Sequence, residues 1–232
     1  HGFTQTRVSW DPVVAALGSD VEVLRPDLPG HGAAADLRAD LGATADAVAT
    51  VGGRATYVGY SMGGRVALRM ALDHPEVVDR LVLIVATAGI DDPGERAARR
   101  TADEALAHRI EVDGVAAFVD RWLAQPLFAG LEVTDVDRAV RRAGSPAGLA
   151  ASLRLAGTGT MDPPWWEELA ALGRAAMPVD VVVGERDAKF ASLGRRLVEG
   201  IGSSATLHVV AGAGHACHLE RPAEVAALLT RR

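Results

Sequence analysis

The stretch Gly59-Tyr60-Ser61-Met62-Gly63-Gly64 sets one serine among glycines, between a run of strand formers and a helical run. A G-x-S-x-G pattern in that place forms a tight turn that lifts the serine above the end of a sheet. The turn also puts the hydroxyl at a helix N-terminus, where free N–H groups and the helix dipole stabilise negative charge. A serine needs a base to take its proton and an acid to orient that base. In the chain order serine, acid, histidine, the favoured partners are Asp187, which closes "VVVGERD", and His215, just past "LHVVAGAG". Glu185 is the rival acid but lies too close to its strand. His218 is the rival base, one helical turn nearer Pro222. The plain alternative makes Ser61 a helix cap and the glycines a turn. Its place between a strand and a helix favours chemistry.

Such a site needs a sheet whose strand ends meet at one edge. Short β-rich runs alternate with helical ones, which predicts an α/β protein with a mostly parallel sheet. Strands are expected within Val21–Gly32, where a strand ends in a Pro/Gly loop, at Ala55–Tyr60 and Val78–Gly89, within "MPVDVVVGERD" and within "ATLHVVAGAGH". Helices are expected at Leu37–Val51, Met62–Leu72, around Leu193–Gly200 and from Pro222. From Asp91 to about Met177 the pattern is helical, broken at "GSP" and "DPP". The expected layout is a core of residues 1–90 and 178–232 with a helical cap of residues 91–177.

With 232 residues, 49% of them hydrophobic and 23% charged, the chain reads as one globular domain with an insertion. A net charge of −6 gives no reason to expect nucleic acid or an anionic membrane surface as partner. The apolar run Leu81–Ile90 is about half the length of a membrane-spanning helix. Cys217 is the sole cysteine, which fits a reducing, cytoplasmic compartment. Lys189 is the sole lysine, so arginine carries the basic chemistry. The chain opens on "HGF" with no hydrophobic strand before it, which reads as a start inside a longer protein. No His/Cys/Asp/Glu group has metal-ligand spacing, and "GTGT" at 157–160 is too short for a phosphate loop.

"HGF" at 1–3, "DLPGHG" at 27–32, "GYSMGG" at 59–64, G-x-x-D at 184–187 and "GAGHACHLERP" at 212–222 together resemble the α/β-hydrolase superfamily, with its opening strands missing. Arg65 after the elbow, "GERDAKF", and the insertion's "ERAARR", Trp-x-x-Gln-Pro-x-Phe (122–128) and "GTGTMDPPWW" resemble a narrower family. That family is the 2-succinyl-6-hydroxy-2,4-cyclohexadiene-1-carboxylate synthases of menaquinone biosynthesis, which use a hydrolase triad for a lyase reaction that expels pyruvate.

The superfamily resemblance implies an oxyanion hole from the backbone N–H groups of Phe3 and Met62. The narrower one implies that Arg65, Arg99 and either Arg141 or Arg142 hold carboxylates of a small anionic polycarboxylate substrate. Tyr60 and Trp122 would line the pocket, and no metal or organic cofactor is implied. The spacing is compatible with these roles. Arg65 stands one turn from Ser61 on the same helix face, and Arg96, Arg99 and Arg100 share a face at i, i+3, i+4. Guanidinium groups suit carboxylates because they bind them through paired hydrogen bonds. Arg96, Arg100 and Arg142 are expected on solvated faces, and Trp165 and Trp166 in packing between insertion and core. An ester or carbon–carbon bond hydrolase with the same triad is the rival reading.

Overall fold

The structure, a computed structural model, describes residues 1–230. Four apolar runs become parallel strands, β1 (Ala55–Tyr60), β2 (Val78–Ile84), β3 (Val179–Gly184) and β4 (Ala205–Val210), paired in that order. Parallel neighbours need crossover connections, and helices supply them. Helix α3 (Met62–Asp73) follows β1, and α9 (Ala188–Ile201) links β3 to β4. Before β1 come α1 (Asp11–Leu17) and α2 (Leu41–Gly52); after β4 come α10 (Cys217–Glu220) and α11 (Pro222–Leu229).

The central strands are apolar on both faces because both are covered. Leu81 and Leu83 of β2 join a core with residues of α2, α3 and α9, while Val82 and Ile84 pack on the opposite side with α1 and α11. Between β2 and β3 the described chain is helical: α4 (Pro93–Asp113), α5 (Val115–Leu123), α6 (Asp135–Arg142), α7 (Pro146–Ala156) and α8 (Ala170–Arg174). Ala107, Ile110, Phe118, Val119, Leu149 and Leu153 give this stretch its own apolar cluster. Trp165 fastens it to the main core: its ring is buried there and its backbone N–H donates to Ala88 O at 2.7 Å. Trp166 Nε1 donates to Gly89 O at 3.2 Å, so both tryptophans pack between insertion and sheet as expected.

Three sequence expectations need correction. Residues 21–26 form no strand, and Val21 and Leu24 are exposed. A strand exists only with a ladder partner, and among the described residues β1 pairs with β2 alone. The helix expected from Leu37 begins at Leu41, because the Asp40 side chain accepts the Ala43 N–H at 2.8 Å and caps it there. The run expected to continue to Gly89 leaves the ladder after Ile84, where Val85 takes φ 52° and turns the backbone.

Candidate active site

Ser61 leaves β1 at φ 52°, ψ −105°, a left-handed conformation that costs a side-chain-bearing residue on the order of 1–3 kcal/mol. Its N–H is fixed on Ile84 O at 2.9 Å. Gly59 permits the turn: a Cβ there would lie 2.2 Å from the Gly63 carbonyl oxygen. The first residues of the chain lie across the start of α3, with Gly63 N–H donating to His1 O at 3.0 Å. The N–H groups of Phe3 and Met62 donate to no described residue, and Met62 opens α3, where no intrahelical acceptor exists.

The acid and the histidine come from the ends of β3 and β4. Asp187 Oδ2 and His215 Nδ1 are 2.6 Å apart, and both side chains are buried. The other carboxylate oxygen accepts the Phe190 N–H at 3.1 Å, so Asp187 caps α9 and orients His215 together. Both oxygens are committed, which fixes the ring and leaves Nε2 as the nitrogen that can accept a proton. The Ser61 hydroxyl makes no hydrogen bond to His215 or to any other described residue. In ligand-free sites such contacts commonly tighten only with substrate bound. Glu185 accepts the Gly212 N–H at 2.7 Å and supports the loop before His215. His218 is fully buried, with neither ring nitrogen bonded to a described residue. Neither rival forms an acid–histidine pair.

The arginines fall into two groups. Arg65 is half-buried; its Nη2 donates to Ala156 O at 2.8 Å and its buried Nε has no described partner. Burial, with Arg99 close by, pushes its pKa down to about 10, so it remains charged at neutral pH. Arg99 Nε donates to both oxygens of Asp103 at 2.9 Å. Arg141 is only 2% exposed; it pairs with Asp137, donates to Thr4 Oγ1 at 3.0 Å, and has an unpartnered Nη2. Arg142 is exposed and paired with Asp120. Arg96 departs from the solvated face expected of it. It is buried and donates to the carbonyls of Ile90 and Asp91 and to Asp162, fastening the first turn of α4 to the loops. Arg100 donates to Gly159 O at 2.9 Å.

Aromatic rings join these parts. Phe3 meets Trp122 edge-on at 5.4 Å, Trp122 meets Phe128 at 6.1 Å, and Phe128 meets His215 at 6.0 Å. The oxyanion-loop candidate, the insertion and the histidine are therefore in one continuous contact. Tyr60 lies 5.8 Å from the His215 ring and 4.0 Å from His218, and burial raises the pKa of its phenol. A cavity of about 690 Å³ on α4 and α7, lined by Arg100, His108 and Arg154, includes neither Ser61 nor His215. Among the described residues, no group of three or more His, Cys, Asp or Glu could hold a metal ion.

The model of the alpha/beta hydrolase family matches residues 1–228. The chain belongs to the alpha/beta hydrolase family. Within it, a 2-succinyl-6-hydroxy-2,4-cyclohexadiene-1-carboxylate synthase of Enterobacter sp. (strain 638) is 33% identical over 239 residues, spanning 100% of this chain and 88% of that relative. The solved structure of MenH from S. aureus superposes with a TM-score of 0.90 at 27% identity, covering 99% of this chain and 89% of that one. A thermophilic esterase from Thermogutta terrifontis, solved with malate bound, gives 0.80 at 26% identity, covering 99% and 85%. One scaffold of this family therefore carries both names.

Some contacts were not foreseen from the sequence. Phe128 and Phe190 pack on His215, Thr4 receives Arg141, and Asp103 holds Arg99. Phe190 lies within "GERDAKF" and Phe128 closes the Trp-x-x-Gln-Pro-x-Phe run, so both sat in motifs already singled out. Thr4 carried no local signal, whereas Asp103 stands at i+4 from Arg99 on α4, a spacing that pairs opposite charges on one helix face.

Proposed function

We propose that this family member eliminates pyruvate from 2-succinyl-5-enolpyruvyl-6-hydroxy-3-cyclohexene-1-carboxylate to give 2-succinyl-6-hydroxy-2,4-cyclohexadiene-1-carboxylate. The observation that carries the reading is identity of about one third to a synthase of that name along the whole chain. Buried Arg141 with its unpartnered Nη2, and half-buried Arg65 one helical turn from Ser61, support it, since a polycarboxylate substrate needs cationic partners.

In this reading His215, held by Asp187, takes the Ser61 proton, and the Ser61 oxygen removes a ring proton from the substrate. The electrons of that C–H bond move through the ring, the carbon–oxygen bond to the enolpyruvyl group breaks, and pyruvate leaves as its enolate. The proton returns from His215 through Ser61 to complete pyruvate. The N–H groups of Phe3 and Met62, with Arg65, Arg99 and Arg141, would stabilise negative charge that is mobile during this step. Tyr60 and Trp122 would form walls of the pocket. Residues 91–177 would act as a cap over a core of residues 1–90 and 178–232. A small polycarboxylate is the only partner this chemistry requires. Among the described residues, no helix is long and apolar enough to cross a membrane.

The test is pyruvate release from the cyclohexene substrate. The protein is expected to exceed the spontaneous rate, and Ser61→Ala to lose that excess. Equal rates for Ser61→Ala and the parent would refute the proposal. The esterase neighbour gives the rival reading its footing. A burst of product from a chromogenic ester, with no pyruvate from the cyclohexene substrate, would establish that reading instead.

A further inference from the structure

The Arg99–Asp103 pair is unevenly placed. The Asp103 side chain is 3% exposed while that of Arg99 is 39% exposed. Only one edge of the guanidinium is used: Nε donates to both carboxylate oxygens, and no described residue takes Nη1 or Nη2. The carboxylate is wedged into the bend after α7, where a Cβ on Gly157 would lie 2.5 Å from Asp103 Oδ2. One residue earlier in the chain, the Ala156 carbonyl holds Arg65. Two guanidinium groups and one carboxylate thus share the region around the end of α7, leaving one positive charge in excess. Like charges in a partly buried space repel unless a counter-charge lies among them.

We propose that Asp103 is a positioning residue for substrate binding. It grips Arg99 by the Nε edge, so that both Nη groups are presented together to a substrate carboxylate. Its charge also lets Arg65 and Arg99 share one region, and the single positive charge left over matches one carboxylate. This rests on the reading that Arg99 binds substrate. An arginine held at Nε retains its two-pronged fork for a planar anion, whereas an untethered one must be ordered by the ligand itself.

The test is a double-mutant cycle on pyruvate release with Asp103→Asn, Arg99→Ala and the double variant, with urea midpoints to report folding. Asp103→Asn is expected to raise KM roughly 10-fold with kcat within about 3-fold, and to add nothing in the Arg99→Ala background. An equal KM rise in both backgrounds, or a fall in kcat with KM unchanged, overturns the positioning role. If Arg99→Ala itself leaves KM unchanged, the substrate-binding reading of Arg99 fails and takes this proposal with it. Should Asp103→Asn fold poorly, Arg99→Lys probes the contact from the other side, keeping the charge while removing Nε. A KM like the parent's in Arg99→Lys would equally overturn the proposal.

Discussion

Ser61 is held in a strained turn that only small neighbours permit, and Asp187 spends both oxygens on holding His215 and capping α9. Asp187→Asn keeps the shape but donates where an acceptor is needed. It should therefore select the wrong imidazole tautomer and lower kcat by about 10⁴-fold with little change in unfolding midpoint, a pairing read by pyruvate release and urea titration. Gly59→Ala forces a methyl to 2.2 Å from a backbone oxygen that cannot move without remaking the elbow. Its cost should exceed about 3 kcal/mol, lowering the thermal midpoint by about 6 °C or more, as calorimetry would read.

At the level of elements, α10 and the loop 27–32 each bury a histidine that no acid pairs. Burial is the leading cause that holds His218 far below its ordinary range and His31 down to about 4. Unfolded, both would titrate near 6.5, so below that pH the unfolded chain binds more protons than the folded one. Stability should therefore be complete above about pH 7 and fall steadily as pH drops from about 6.5 toward 4. Urea midpoints across that range would show it. His218→Phe, which keeps the ring between Trp10 and Tyr60 while removing the titrating nitrogens, should flatten the slope. An unchanged slope would mean that other groups dominate.

For the molecule as a whole, the insertion and the oxyanion-loop candidate meet through Arg141 on Thr4 and Trp122 on Phe3. Arg141 and Arg142 are neighbours in sequence with opposite surroundings, one 2% exposed and the other paired to Asp120 at the surface. Arg141→Met leaves Asp137 without its partner and removes a cation from the proposed pocket, so KM should rise at least about 10-fold and the thermal midpoint fall by several degrees. Arg142→Met should change stability by no more than about 0.5 kcal/mol and leave KM intact. Kinetics and melting of the two variants side by side would check both statements.

Sequence alone determined whatever is local or periodic in this protein. The elbow, the strands around it and the positions of Asp187 and His215 past their strand ends follow from turn chemistry and hydrophobic spacing, which act over a few residues. Folding decided which strand-like run acquires a partner, since residues 21–26 have β-forming side chains but no ladder to join. It decided too which of two adjacent arginines is buried, and that Thr4 receives the buried one. Those outcomes turn on contacts between segments up to 137 residues apart, such as Arg141 with Thr4, which no local pattern encodes.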